Sequence, residues 1–282
     1  MTNNYLKFVE IGLLVDCNFR CPYCISEKND NWKKLSKLDV FSLLKWLKKY
    51  TSDETLIMLT GGEPLYHENI KEFILGLKNK IVICSNVSLI DNNDWLFENS
   101  NLIEQICFRI GLHPTIRNDD YIFKIKKLMG YGYHVLVNYM ITNNSSDKYI
   151  DSIISKLEEN EISYELTLEI GASTRVKHNR RQNKILNVIN NNYGVTIRGT
   201  GKILECQNGE QVGDVYDCSF QNTQRQKVYC QNCRSLWGYN KILRDWNFYD
   251  IYKLYPKKQN FQTRFDYNYF SENYKTTLIN KK

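Results

Sequence analysis

Cys17, Cys21 and Cys24 lie in the run Asp16-Cys17-Asn18-Phe19-Arg20-Cys21-Pro22-Tyr23-Cys24, directly after an apolar stretch from Phe8 to Val15. Their C-x3-C-x2-C spacing gathers three soft ligands on one short loop. A 4Fe–4S cube normally takes four thiolates, so three leave one iron open to a small molecule. A zinc half-site or a set of buried thiols would use the same residue types, although zinc sites favour paired C-x2-C spacings.

A second run completes the pattern. Thr55-Leu56-Ile57-Met58-Leu59-Thr60 reads as a short buried strand that ends in Gly61-Gly62-Glu63-Pro64. Two glycines let the backbone approach a ligand closely, and the following carboxylate accepts hydrogen bonds from an ammonium group. The cysteine triplet, the aromatic Tyr23 just before its last member and the GGEP turn together resemble the radical S-adenosylmethionine (SAM) superfamily. The resemblance implies a 4Fe–4S cluster on Cys17, Cys21 and Cys24, with the open iron chelated by the amino and carboxylate groups of SAM. One electron then cleaves SAM to a 5′-deoxyadenosyl radical, which abstracts hydrogen from an unactivated carbon. It also implies that Tyr23, Gly61, Gly62, Glu63 and Pro64 bind SAM, the turn holding its amino group.

These residues need a scaffold, and the first 170 residues supply an alternating one. Strands are expected at Phe8–Val15, Thr55–Thr60, Ile81–Asn86, Glu104–Leu112, His134–Ile141 and Ser163–Ile170. Helical patterns lie between them at Asp39–Tyr50, Asn69–Leu77, Tyr121–Gly130 and Lys148–Glu159, with Asp39 as an N-cap. Repeated strand–helix units imply an α/β fold with a parallel sheet. Six units with a ligand motif after the first strand match the partial (β/α)6, TIM-like barrel of the resembled family. Sites in such folds gather at the carboxyl ends of the strands.

Alternation along the strands sorts their side chains. In the fourth, Ile106, Phe108, Ile110 and Leu112 form an apolar face, while Gln105, Cys107, Arg109, Gly111 and His113 form the other. In the sixth, Tyr164, Leu166, Leu168 and Ile170 alternate with Glu165, Thr167 and Glu169. Buried ions need partners or water, so this second face implies either a wet, ligand-binding interior or a structural ion pair of Arg109 with Glu165 or Glu169. Glu165, Glu169 and His113 are the candidates for proton transfer. The segment Cys84-Ser85-Asn86-Val87-Ser88 resembles the family stretch that meets SAM, which puts Ser85 and Asn86 at its ribose or carboxylate. Arg109-Ile110-Gly111-Leu112-His113-Pro114 stands where many relatives show Ser-Leu-Asp, and Gly111 lacks the hydroxyl expected there.

Four more cysteines follow the barrel: Cys206, Cys218, Cys230 and Cys233. Gly213 to Cys218 gives G-x4-C, and Cys230 to Cys233 gives C-x2-C. This order resembles the auxiliary-cluster domains called SPASM and, in short form, twitch. Four thiolates complete one further 4Fe–4S cluster, so the short form is expected; a four-cysteine zinc site fits the same spacings. The expected organisation is a barrel core at 1–175, a linking helix at 176–194, an auxiliary domain at 195–240 and a polar, aromatic-rich extension at 241–282. The two remaining cysteines, Cys84 and Cys107, fall in barrel strands and read as small buried hydrophobes or as a hydrogen donor to a substrate radical.

With 282 residues and 42% hydrophobic content, the chain can bury one large core and a small appendage. No apolar run reaches membrane-spanning length and no signal peptide precedes Cys17. Nine cysteines without an export signal suit a reducing cytoplasm. The net charge of +7 is spread along the chain and does not call for a nucleic-acid partner. The expected function is hydrogen abstraction from a peptide substrate leading to oxidation, crosslinking or epimerisation, fed by a flavodoxin- or ferredoxin-type electron donor. A sugar- or aminocyclitol-like metabolite, dehydrogenated or epimerised, is the alternative substrate. A non-catalytic iron–sulfur or zinc scaffold is the alternative role.

Overall fold

The computed structural model describes residues 6–21, 24, 37–113, 120–141, 147–168, 194–204 and 211–221. The first strand, β1 (Leu6–Leu14), is followed by α1 (Val40–Tyr50) and β2 (Thr51–Gly61). Then come α2 (Ile70–Leu75), β3 (Ile81–Ser85), the short helices α3 (Trp95–Glu98) and α4 (Asn101–Gln105), and β4 (Ile106–Leu112). Two more units follow: α5 (Asp120–Gly130), β5 (His134–Ile141), α6 (Asp147–Glu159) and β6 (Tyr164–Leu168). Strands β1 to β6 are neighbours in chain order and all pair in parallel. A helix between each pair of strands makes this the partial (β/α)6 arrangement expected from the alternation.

Local chemistry sets the boundaries. Asp39 caps α1, accepting from the backbone N–H groups of Phe41 at 3.4 Å and Ser42 at 2.9 Å. Helix α5 ends at Gly130, and Gly132 turns the chain into β5 with φ 97°, a left-handed value that glycine takes without strain. The fourth strand starts later than expected. Glu104 and Gln105 belong to α4, because Gln105 spends its amide on the Leu77 carbonyl at 2.9 Å and β3 first pairs with β4 at Ile81↔Ile106.

The helix-facing side of the sheet is apolar throughout. Val9, Ile11 and Leu13, then Ile57 and Leu59, Ile81 and Ile83, and finally Ile106, Phe108 and Ile110 are all fully buried. Burial of this kind is worth about 1.5–3 kcal/mol per large side chain and supplies most of the driving force for the barrel.

Beyond β1 the sheet continues on its other side. Strand β7 (Gly194–Ile197) pairs in parallel with β1, with Glu10 opposite Thr196 and Ile11 opposite Ile197. Strands β8 (Lys202–Leu204), β9 (Gln211–Asp214) and β10 (Ser219–Phe220) then add in antiparallel fashion. The described part of the segment expected as an auxiliary domain is thus built onto the barrel sheet, in the order β10-β9-β8-β7-β1-β2-β3-β4-β5-β6. The expected linking helix at 176–194, apart from Gly194, and the extension at 241–282 lie outside the described residues. No helix of the described residues is long and apolar enough to cross a membrane.

Candidate functional site

The cysteine loop leaves the carboxyl end of β1 and is tied to the GGEP turn by backbone alone. Gly62 N–H donates to the Leu14 carbonyl at 2.8 Å and Glu63 N–H to the Asp16 carbonyl at 3.0 Å. The two chains are so close that a side chain at either glycine has no room. A Cβ at Gly62 would stand 2.0 Å from Asp16 O, and one at Gly61, whose φ is 115°, would stand 2.4 Å from Leu14 O. The glycines therefore bring the turn against the loop that carries the thiols.

Cys21 is buried and Cys17 and Cys24 are half-buried, with Cys24 N–H donating to the Cys21 carbonyl at 2.9 Å. Burial pushes the Cys17 thiol up, and Glu63, Cys21 and Cys24 push it the same way, so the three sulfurs share one neighbourhood. Among the described residues no three His, Cys, Asp or Glu side chains converge as one mononuclear ion would require. A cube asks less, since each cysteine holds a different iron and the sulfurs need only face a common space. The donor set fits: three soft thiols, one of which accepts a backbone N–H from Phe19 at 3.4 Å. Arg20 steadies the loop through bonds to the carbonyls of Cys17 at 2.7 Å and Phe19 at 3.3 Å.

Glu63 is almost fully buried. Its carboxylate accepts from Leu65 N–H at 3.1 Å and Asn86 N–H at 2.7 Å, clipping the turn to the end of β3. Burial still dominates and lifts its pKa to about 7. Pro64 opens a short 3-10 turn, Pro64–Tyr66, directly after it.

Past β3, Ser85 Oγ accepts from Val87 N–H at 2.9 Å, and Ser85 also bonds the Glu63 carboxylate. Asn86 donates from Nδ2 to Asn18 Oδ1 at 2.9 Å and to Cys17 Sγ at 3.7 Å. The structure thus brings Ser85 and Asn86 to the cysteine loop, with both side chains engaged inside the protein. Asn18 and Ser88, which complete this cluster, were not among the expected site residues. Their contacts span 68 and 70 residues of chain, and no local spacing signals them.

On the inward side of the sheet, register sets Cys84 beside Arg109, and Gly111 beside Asn138, which in turn faces Glu165 of β6. His113 lies just past β4, its ring 3.2 Å from where a Cβ on Gly111 would stand, so the missing side chain gives the imidazole its place. Burial lowers the pKa of His113 to about 4 and keeps it neutral near pH 7. Cys107 is buried and its thiol is pushed up to about 12, by burial first and by neighbouring Cys84 second. Tyr23 and Glu169 lie outside the described residues, as do Cys206, Cys230 and Cys233.

Cys218 is described, and the G-x4-C motif proves to be a hairpin. Gly213 pairs with Phe220, where a Cβ would meet Ser219 O at 2.4 Å, and Cys218 turns with φ 48°. Helix α1 holds the hairpin. Trp46 Nε1 donates to the Ser219 carbonyl at 3.1 Å, while Tyr50 Oη and Lys49 Nζ donate to the Cys218 carbonyl at 3.0 and 3.2 Å.

Comparison with known proteins follows this geometry. The family model of the radical SAM superfamily matches residues 13–157. GTP 3′,8-cyclase of Sulfurimonas denitrificans is 39% identical over 71 residues, which are 24% of this chain and 22% of that protein. The GTP 3′,8-cyclase of Helicobacter pylori is 23% identical over 261 residues, covering 83% of this chain and 78% of that one. The chain therefore spans about a fifth of the first relative's length and most of the second's. Among solved structures, Streptococcus suis SuiB bound to precursor peptide SuiA superposes with a TM-score of 0.54 at 16% identity, over 78% of this chain and 66% of that one. The enzyme anSMEcpe with bound AdoMet gives 0.53 at 13% identity, over 81% and 78%. At such identities the two structures speak for a shared fold. A family match over residues 13–157 of the 282, which takes in both the thiol loop and the turn packed against it, makes this chain a member of the radical SAM superfamily.

Proposed function

We propose that the chain reductively cleaves SAM and uses the resulting 5′-deoxyadenosyl radical to abstract hydrogen from a C–H bond of a peptide. The observation that carries this is the backbone junction of Gly62 and Glu63 with Leu14 and Asp16, which fixes the SAM-binding turn against the thiol loop. When bound, a 4Fe–4S cluster on Cys17, Cys21 and Cys24 supplies the electron and an open iron for SAM. Glu63 then receives the ammonium group of SAM. A cation there holds ionised a carboxylate whose pKa burial has raised to about 7. Gly61, Gly62 and Pro64 shape the turn, with Tyr23 beside the last cysteine. Ser85 and Asn86 approach the ribose or carboxylate of SAM only by sharing bonds they already make.

Neutral His113, with Glu165 and Glu169 on the neighbouring strand, is suited to take the proton released when a substrate radical is oxidised. A second 4Fe–4S centre on Cys206, Cys218, Cys230 and Cys233 would take the electron, with zinc as the alternative occupant of those four thiols. A flavodoxin- or ferredoxin-type donor in a reducing cytoplasm would feed the first centre. The peptide reading is supported by SuiB, which shares the fold and was solved with its precursor peptide. A second reading, a purine nucleotide substrate, is favoured by relatives named GTP 3′,8-cyclase, one of them aligned over 83% of this chain.

Anaerobic reconstitution with iron and sulfide, then dithionite and SAM, tests the chemistry. Production of 5′-deoxyadenosine above a Cys17→Ala, Cys21→Ala, Cys24→Ala control is the expected result, and its absence would leave the scaffold role. Deuterated GTP and deuterated peptides encoded beside the gene then separate the substrates. Deuterium reaching 5′-deoxyadenosine from GTP and not from peptide would replace the peptide reading with the nucleotide one.

A further inference from the structure

The hydrogen bonds around Asn86 form a closed ring whose purpose the SAM-binding reading does not explain. Asn86 Nδ2 donates to Asn18 Oδ1 at 2.9 Å, and Asn18 Nδ2 donates to Ser88 Oγ at 2.6 Å. Ser88 Oγ in turn donates to Asn86 Oδ1 at 2.5 Å, with Ser88 N–H reinforcing that contact at 3.0 Å. The ring is anchored at both ends of its β3 segment. Asn86 N–H is held by Glu63, and the Ser88 carbonyl accepts from Lys124 Nζ of α5 at 3.0 Å. Lys124 is itself fixed by Asp120 at 2.9 Å and Asp91 at 3.6 Å. Between them Val87 is buried at φ 62°, a conformation that a β-branched residue adopts only when its surroundings impose it.

A serine–asparagine ring of this kind orients an amide, and here the amide has one hydrogen left. Its direction is Cys17 Sγ, 3.7 Å away, within the range of an N–H···S bond. Asn86 Oδ1 is occupied by Ser88, so the ring leaves Nδ2 and not the oxygen facing the sulfur. We propose that Asn86 is a positioning and tuning residue for the cluster-bearing Cys17 thiolate, held in that orientation by Asn18 and Ser88. The proposal rests on the reading of Cys17 as a cluster ligand. Reduction adds negative charge that spreads onto the ligand sulfurs, and a donor aimed at one of them favours the reduced form. Removing the donor lowers the reduction potential. Ser88→Ala leaves the donor but frees the amide to turn, and produces a smaller change of the same sign.

The test is an EPR-monitored redox titration of the reconstituted wild-type protein, Asn86→Ala and Ser88→Ala, each with iron content measured first. At a fixed potential near the wild-type midpoint, the ratio of reduced to oxidised cluster is expected to fall about threefold in Asn86→Ala, the scale of one weak hydrogen bond, and less in Ser88→Ala. Equal midpoints in all three proteins would overturn the proposal. If Asn86→Ala does not assemble a cluster, pulsed EPR of wild-type protein labelled with asparagine carrying 15N at Nδ2 decides the matter. A 15N coupling at the reduced centre that persists without SAM supports the assignment, and no coupling refutes it. Failure of the Cys17 reading itself looks different, since Cys17→Ala would then keep its iron and its EPR signal.

Discussion

At the scale of single residues, the site is governed by two glycines and one carboxylate. Gly62→Ala would put a methyl group 2.0 Å from Asp16 O and 2.5 Å from Val15 O, both backbone atoms that no rotamer change can clear. The thiol loop must move away from the turn. The variant should keep its far-UV circular dichroism, since the sheet core is elsewhere, yet lose most of its N-terminal iron after reconstitution and be destabilised by about 1–3 kcal/mol. Full iron loading would show that the close approach is dispensable. Glu63 gives a pH signature. Its pKa is about 7 when folded against a model value of 4.5, so between those pH values the folded chain holds more protons than the unfolded one. The stability it contributes is complete below pH 4.5 and is lost as pH rises through 7. His113 and His134, both lowered to about 4 by burial, work in the opposite sense and lose stability as pH falls from 6.5 toward 4. Glu63→Gln abolishes the first slope and keeps the second. Subtracting urea-denaturation profiles taken without SAM should therefore show the wild type losing on the order of 3 kcal/mol relative to the variant between pH 4.5 and 8. A flat difference would mean that the carboxylate titrates normally.

At the scale of elements, α1 joins the barrel to the C-terminal hairpin. Trp46 is fully buried, packs against Tyr50 at 5.1 Å and Phe220 at 5.8 Å between ring centroids, and donates to Ser219. Trp46→Phe keeps most of the packing but strands the Ser219 carbonyl, which should cost about 1 kcal/mol. Trp46→Ala also opens a cavity and should cost about 3–5 kcal/mol by urea denaturation, with faster amide exchange in residues 211–221. Equal costs for the two variants would assign the effect to the hydrogen bond alone. Much of this scale was legible in the sequence, because β1 to β6 and the four longer helices follow from apolar periodicity and from caps such as Asp39. The GGEP turn and the cysteine spacing located the site for the same reason, being local. What local pattern cannot hold is pairing across a long gap. Nothing in Gly194 to Ile197 says that it lies beside β1, and nothing near Asn18 says that its partners are Asn86 and Ser88. Glu104 and Gln105 were expected in a strand because apolar alternation continues into them; α4 and a contact to Leu77 outweighed it.

For the molecule as a whole, the position of β1 decides how it comes apart. Ile11 is fully buried and its strand is bonded on both sides, opposite Leu59 of β2 and Ile197 of β7. Ile203 of β8 is equally buried but belongs to the antiparallel extension, next to short outer strands. Truncating either to alanine removes a comparable apolar volume and should cost about 2–5 kcal/mol locally. The consequences differ because opening free energies vary across a fold and edge units open by themselves. Ile11→Ala should accelerate hydrogen exchange in β2, β3 and β7 together, since the strand that joins the barrel to its extension is weakened. Ile203→Ala should accelerate exchange in 201–204 and 211–221 while leaving β3 to β5 at wild-type rates. Should Ile203→Ala also speed exchange in β3 to β5, the ten strands open as one cooperative unit. The hairpin that presents Cys218 would then have no freedom to move apart from the barrel that presents Cys17, Cys21 and Cys24.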